Sequence, residues 1–263
     1  MFSCVYKSCC YHIKSYNSLR NHLIFCCSTM ASEATVDLKD KRVPYKSRNE
    51  LLLEKDIVKE PIKLFEAWFK EASNTPGIIE PNAMFIATSS KSGIPSGRMV
   101  LLKSFGNNGF VFFTNYNSRK GIELAENPNA SLAFYWEPLK RSVRIEGHVE
   151  KTSEKESDDY FHSRPYASKI GALASDQSKP CESRDQMSKI TEELKQKYSE
   201  TDRVPRPKHW GGYVVIPKVI EFWQGQSDRV HDRIVFSKPT PGDPLGEYLH
   251  EGEDGWKYQR LFP

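Results

Sequence analysis

The sequence predicts a mainly β protein with flanking helices, an α+β class organised as an antiparallel barrel. Three observations carry this. Short apolar runs with the two-residue period of strands fill most of residues 83–261, and tight turns rich in Gly and Asn separate them. Helices are expected only before, between and after runs of consecutive strands, so few βαβ units are available. No GxGxxG follows a strand and no Walker-type loop occurs, which removes the common α/β nucleotide folds.

Residues 1–36 form a Cys-rich extension, and 37–60 read as a polar arm. The domain proper is expected over 61–263. Pro61 suits the first position of a helix, in which Leu64, Phe65, Trp68, Phe69 and Ala72 make one apolar stripe until Asn74-Thr-Pro-Gly77. Strands are expected over Ala83–Ser89, Pro95–Phe105 and Phe110–Asn115, with turns at Ser90–Gly93 and Gly106–Gly109. A short helix, Ser118–Glu126, precedes Pro128. Ala130–Trp136 and Ser142–Lys151 read as a hairpin across Glu137–Arg141. Two or three polar helices follow between Ser153 and Tyr198, and then strands over Gly212–Trp223, Arg233–Ser237 and Trp256–Leu261.

Of 263 residues, 38% are hydrophobic and 27% charged, the balance of a chain with a real core. The net charge of +4 is uneven. Lys7, Lys14 and Arg20 stand in residues 1–32 without an acid, leaving 35 bases against 34 acids in the rest. A nearly neutral body does not suit a duplex nucleic-acid binder, which needs many phosphate contacts. With no uncharged apolar run of spanning length, a membrane protein is not expected either.

Five of the six cysteines fall in the first 27 residues and only Cys181 in the body, so a reducing compartment, the cytoplasm, is expected. Cys4, Cys9, His22 and Cys26 have the ligand spacing of a zinc finger. The same acid-free, basic, Ser-containing stretch also reads as a targeting leader, for instance to mitochondria, or as an extension without a part in the fold. These alternatives stay open.

Three groups of residues point to chemistry. Arg98 and Lys103 put a cation at each end of an apolar strand, and Ser118, Arg119 and Lys120 stand at a helix start, where free N–H groups favour phosphate. The blander reading is surface salt bridging. Tyr160, Arg164 and Ser168 fall at i, i+4, i+8 on a helical path that Pro165 interrupts, and Gln177-Ser178 adds donors in a loop. Arg229, His231 and Arg233 alternate, so an extended chain would present them on one face. His231 suits a proton donor or a plain hydrogen-bond partner, and Trp223 suits a cover for a flat ring or core filling.

Taken in order, the motifs Arg98-Met-x-Leu-Leu-Lys103, Phe112-Phe-Thr-Asn, Ser118-Arg-Lys-Gly, Phe134-Tyr-Trp-Glu-Pro-Leu, Tyr160-Phe-x-Ser-Arg-Pro, Ser175-x-Gln-Ser, Trp210-Gly-Gly-Tyr, Glu221-Phe-Trp-Gln-Gly, Arg229-x-His-Asp-Arg233 and Arg260-Leu-x-Pro make the chain resemble the pyridoxine (pyridoxamine) 5′-phosphate oxidase family from about Arg42 to Pro263. The resemblance implies an FMN-binding split β-barrel of the antiparallel Greek-key type. It also implies a homodimer with FMN at the subunit interface, and oxidation of pyridoxine or pyridoxamine 5′-phosphate to pyridoxal 5′-phosphate, with oxygen as acceptor and hydrogen peroxide as product.

By position, Arg98, Met99, Val100, Leu101, Phe113, Thr114, Arg119, Lys120, Gln177, Ser178, Trp223 and Arg233 are expected to hold FMN. Lys103, Tyr160, Arg164 and Ser168 are expected on the substrate phosphate. Arg229 and His231 are expected over the pyridine ring as the catalytic pair. The arm around Arg42–Tyr45 is expected to cover the site, although the sequence after Tyr45 departs from the family. Ser142 stands where the family commonly has a flavin-touching glutamine, so weaker FMN retention is expected. A split-barrel flavin enzyme for another substrate, a non-catalytic FMN or pyridoxal 5′-phosphate carrier, and a nucleic-acid role for the Cys/His segment are the rival readings.

Overall fold

The structure is a computed structural model that describes Tyr45 and residues 51–201, 203–239 and 246–263. The zinc-ligand set Cys4, Cys9, His22 and Cys26, the leader reading and Arg42 lie outside the described residues. Among those described, ten strands and five α-helices form, and every strand pairing is antiparallel.

Helix α1 (Pro61–Asn74) starts where expected, but its cap is the carboxylate of Glu60, which accepts from the N–H groups of Ile62 and Lys63 at 3.0 and 2.6 Å. Pro61, at the first helical position, has no N–H to satisfy, so the two carboxylate oxygens serve the next two donors of the first turn. The stripe Leu64, Phe65, Trp68 and Ala72 is buried. The fully buried Phe65 ring meets Phe105, Phe110 and Phe134 at 4.8, 5.1 and 5.2 Å between centroids. Removing that ring would cost about 3–5 kcal/mol of stability.

Strands β1 (Ala83–Ser89), β2 (Pro95–Leu101), β3 (Ser104–Gly106), β4 (Gly109–Asn115), β5 (Asn129–Trp136) and β6 (Arg141–Lys151) precede the long β7 (Trp210–Gln224). Strands β8 (Asp232–Ser237), β9 (His250–Glu251) and β10 (Lys257–Arg260) follow it. The sheet runs β2-β1-β5-β6-β7-β8-β10-β9, and β3 and β4 join through β7. No pairing among the described residues joins β9 back to β2.

β7 is the spine of the sheet. β6 pairs along it from Tyr213 to Gln224, β4 takes Trp210–Val215, and β8 takes Val219–Gln224. The register shifts between Glu146 and Gly147, opposite Pro217, a residue with no N–H for the ladder. Gly147 is required there: a Cβ would stand 2.1 Å from the Ile216 carbonyl oxygen.

The expected single strand Pro95–Phe105 is instead two. At Leu102 the N–H donates to the Asn82 carbonyl (2.9 Å), and at Lys103 the N–H donates to Val111 (2.8 Å). The chain changes partners between these two residues, from β1 to β4. The apolar run Met99–Leu102 continues up to the change, so the pattern alone does not reveal it.

Helix α2 (Arg119–Glu126) is capped by Ser118. Three further helices follow β6: α3 (Glu154–Ser163), opened by a Ser153/Glu156 capping box, α4 (Tyr166–Ala174) and α5 (Arg184–Lys197). Phe161, Ile170, Val204 and Trp210 make a small second core beneath them, and α5 buries none of its residues.

Candidate functional site

The residues that the sequence singles out gather at the two ends of β7. At its Trp210 end, β2, β4 and the α3–α4 junction enclose a cavity of about 450 Å³. Met99, Val100 and Leu101 line it from β2, and Phe113 and Thr114 from β4. Lys103 enters from the point where the chain changes partners, and Lys120 from α2. Tyr160, Arg164, Ser168 and Gln177 line it as well, joined by Trp210.

The single helical path expected through Tyr160, Arg164 and Ser168 is not formed. Arg164 is the C-cap of α3 with extended backbone (φ −73°, ψ 152°), as a residue before proline prefers. The three residues nevertheless share the cavity, because α4 restarts at once and carries Ser168 in its first turn.

Two cations in this cavity, Lys120 buried and Arg164 half-buried, have no carboxylate partner among the described residues. Lys120 is only 7% exposed, and its Nζ donates to Gln177 Oε1 (2.7 Å), Thr114 Oγ1 (3.1 Å) and Ser118 Oγ (3.3 Å), all neutral acceptors. Burial, and then the charge of Arg98, bring its pKa down to about 8. Burial also pushes the Arg164 guanidinium below its usual value, and its Nη1 is buried with no hydrogen-bond partner among the described residues.

Arg164 lies 4.7 Å over the ring of Trp210. Trp210 in turn stacks with Phe113 at 5.6 Å, and Phe113 with Tyr160 at 4.1 Å. An orphaned buried donor is costly, and so is a lysine charge held in burial without a counter-ion. Both costs fall when an anion enters. The cavity therefore has the chemistry of a phosphate site with an aromatic wall.

Arg98 and Arg119 do not line the cavity. They meet at Glu123 beside Lys120: Arg119 Nε donates to Glu123 Oε1 at 2.8 Å, and Arg98 Nη2 lies 3.5 Å from Glu123 Oε2. Burial pushes the Glu123 carboxyl up, but hydrogen bonds from Ser96, Thr88 and Arg119 outweigh it and hold the pKa at about 2. Ser178 is exposed in the loop after α4, with a left-handed φ of 73°.

The second cluster lies at the Trp223 end. Ser142 is paired across from Trp223 in the ladder. Trp223 is half-buried and outside the core, with the His231 ring 5.0 Å away and Tyr45 6.2 Å away. His231 Nδ1 accepts the Gln226 N–H at 2.9 Å, so the neutral ring carries its proton on Nε2 and offers a donor there. Arg233 donates to both oxygens of Glu221 (3.2 and 3.0 Å) and to the Phe262 carbonyl (2.9 Å). Burial raises Glu221, but Arg233 and Arg144 together keep its pKa below the usual value.

Arg260 secures this end, donating to Glu54 and Asp232 at 2.6 and 2.7 Å, while Gln226 donates to Asp232 at 2.7 Å. The expected common face of Arg229, His231 and Arg233 is not present. Arg229 is exposed in a turn with φ 71°, so regular alternation begins only at Asp232, where β8 starts. A left-handed non-glycine residue stores strain of about 1–3 kcal/mol, a common mark of functional loops.

Thirteen steps of about 3.3 Å separate Trp210 from Trp223, roughly 40 Å along the strand. Sequence reasoning gave no role to Trp210 or Glu123. Glu123 stands four residues after Arg119, the spacing of a helical ion pair, which is the signal that was present. Among the described residues no cluster of three or more His, Cys, Asp or Glu could hold a metal ion, and no helix is long and apolar enough to cross a membrane.

Comparison with known proteins fits both ends. Residues 72–198 match the family described as "Pyridoxamine 5'-phosphate oxidase", and residues 210–263 match "Pyridoxine 5'-phosphate oxidase C-terminal dimerisation region". The chain is 51% identical over 232 residues to the pyridoxine/pyridoxamine 5'-phosphate oxidase of Bombyx mori, covering 87% of this chain and 90% of that one. The chain belongs to the pyridoxamine 5′-phosphate oxidase family.

Another member, the pyridoxine-5'-phosphate oxidase of Bos taurus, is 52% identical over 233 residues, covering 88% of this chain and 89% of its own. Among solved structures, PhzG from Burkholderia lata, in complex with tetrahydrophenazine-1-carboxylic acid, aligns with a TM-score of 0.72 at 29% identity, over 83% of this chain and all of its own. A pyridoxamine 5'-phosphate oxidase-related, FMN-binding protein from Nostoc punctiforme, 12% identical with a TM-score of 0.57 over 78% of this chain and 98% of its own, shares the fold. The first family match holds all the cavity residues except Trp210. The second holds Trp210 and the cluster from Glu221 to Arg233.

Proposed function

We propose that this chain oxidises pyridoxine 5′-phosphate and pyridoxamine 5′-phosphate to pyridoxal 5′-phosphate with FMN as cofactor. The observation that carries this reading is a pair of cations in one aromatic-walled cavity, buried Lys120 and half-buried Arg164 with its buried Nη1, neither with a carboxylate partner among the described residues. Two phosphorylated ligands explain two such cations, and the names of relatives about 50% identical supply their chemical class.

The donor set fits FMN. Lys120, with Thr114, Gln177 and Ser178 and the neighbouring Arg98 and Arg119, would hold its phosphate side, and Met99, Val100, Leu101 and Phe113 would bound it along β2 and β4. When bound, FMN supplies the two-electron acceptance that oxidation of an alcohol or amine to an aldehyde requires, with oxygen as final acceptor and hydrogen peroxide as product. Lys103, Tyr160, Arg164 and Ser168 take the substrate phosphate, which fixes where C4′ lies. Arg229 and the Nε2–H of His231 hold the pyridine ring and stabilise charge that develops on it. Trp223, Arg233 and Ser142 form the other wall of the FMN site, Ser142 with a shorter reach than an amide.

The roughly 40 Å of strand between the two clusters supports a site completed by a second copy: the cavity end of one subunit faces the Trp223 end of the other. The reading therefore includes a homodimer with small-molecule substrates and neither nucleic acid nor membrane as partner. It also includes a Greek-key split barrel over 61–263, preceded by an arm (37–60) and an extension (1–36), in a reducing, cytoplasmic setting.

The test is a visible absorption spectrum of the purified protein, followed by anaerobic addition of pyridoxine 5′-phosphate. Flavin bands that bleach and return with air are expected. Flavin bands that persist would point to a split-barrel flavin enzyme for another substrate. No flavin after reconstitution with FMN would sink the proposal.

A further inference from the structure

Glu123 has no part in the function proposed above, yet it stands among the cations assigned to the FMN phosphate. Its side chain is almost fully buried, with its pKa held at about 2, so it is charged at every physiological pH. On Coulomb grounds alone, a fixed negative charge beside a phosphate site repels the phosphate. The geometry points to a compensating role.

Oε2 accepts from the hydroxyls of Thr88 (2.5 Å) and Ser96 (2.6 Å). Because both hydroxyls spend their protons on the carboxylate, both turn lone pairs to Arg98. Arg98 donates Nη1 to Thr88 Oγ1 at 2.5 Å and Nη2 to Ser96 Oγ at 2.6 Å. Oε1 takes Nε of Arg119 at 2.8 Å, which leaves both Nη groups of Arg119 without a partner among the described residues. One carboxylate thus sets the direction of two hydroxyls and two guanidinium groups drawn from β1, β2 and α2.

We propose that Glu123 is a positioning residue that pre-orders Arg98 and Arg119 for the FMN phosphate. This rests on the assignment of those arginines to FMN. The local charge agrees: Arg98, Arg119 and Lys120 against Glu123 leave two positive charges for a phosphate monoester near −2. Without the carboxylate the site gains net positive charge but loses the order of its donors. Positioning and simple repulsion therefore predict opposite signs for the same substitution.

The experiment titrates flavin-free, full-length protein with FMN and, separately, with riboflavin, following flavin fluorescence. Glu123→Gln should raise the Kd for FMN roughly tenfold or more and leave the Kd for riboflavin within about twofold. Ser96→Ala, which removes one relay hydroxyl and keeps the carboxylate, should shift FMN in the same direction by roughly threefold and again spare riboflavin. This second variant serves if Glu123→Gln does not fold. Tighter FMN binding by Glu123→Gln, or an equal loss for both flavins, overturns the proposal. If the unaltered protein does not prefer FMN to riboflavin, the assignment of the arginines to FMN fails instead, and the role of Glu123 fails with it.

Discussion

At the Trp210 end of β7, Lys120 and Arg164 meet, among the described residues, only neutral acceptors, aromatic faces and, for one guanidinium nitrogen, no partner. At the Trp223 end, Arg233 is already bound to Glu221 and a main-chain carbonyl, and Arg260 to Glu54 and Asp232. Both ends are rich in cations, but their charge is disposed differently. Unpaired buried charge makes a site that gains most from an incoming anion. Paired charge is largely neutralised and chiefly fixes geometry. The first end is thus built for grip and the second for orientation.

The strongest way to break this contrast is Arg164→Ala. It should raise the KM for pyridoxine 5′-phosphate by roughly 10²-fold, the worth of a charge-assisted contact in a desolvated site, and leave FMN content near normal. Steady-state kinetics with flavin quantitation checks this, and an unchanged KM would remove Arg164 from the phosphate site. A sharper comparison lies within the other end. Arg233→Ala should deplete bound FMN, because it also releases Glu221 as a buried carboxylate with one partner fewer. Arg229→Ala, in an exposed turn, should raise KM and lower turnover by roughly tenfold with FMN retained. If the two variants behave alike, the division of roles at this end is wrong.

The smallest expected effect is a pH dependence. Folding depresses Lys120 from the usual 10.5 to about 8. Between these values the unfolded chain holds a proton that the ligand-free folded chain has lost, so Lys120 makes stability rise with pH across that window. Below pH 8 its charge is a standing cost on the order of 3 kcal/mol. A bound phosphate relieves that cost only while Lys120 is protonated, so FMN affinity should fall as pH rises through 8. Lys120→Met should flatten both dependences. A wild-type FMN affinity that stays level from pH 7 to 9.5, by fluorescence titration, would show that Lys120 does not face the phosphate.

Much of the fold was legible because its signals are local. Pro61, the Gly and Asn turns, and Ser118 and Ser153 as caps act within four residues, and the elements begin and end close to where those residues stand. The break at Leu102–Lys103 was not legible, since it depends on Asn82 and Val111, partners brought there by the sheet. The candidate site divides in the same way. Its cationic residues stand out against apolar strands, so they can be found by type. That Arg98 turns to the carboxylate that Arg119 already holds at helical spacing, or that Trp210 supports Arg164, depends on contacts among β1, β2, α2 and β7 that no spacing along the chain encodes.

The Arg260 network has a consequence for the order of events in synthesis. Arg260 joins the segment around Glu54 to Asp232, which holds Gln226, whose N–H holds His231. Of these residues Arg260 is made last. While the chain is still growing, the imidazole and its loop lack the residue that ties them down, whereas every element around Lys120 and Arg164 except β7 and its Trp210 precedes them by dozens of residues. The gripping half of the site can therefore assemble on a nascent chain, and the orienting half waits for the final strand to be added.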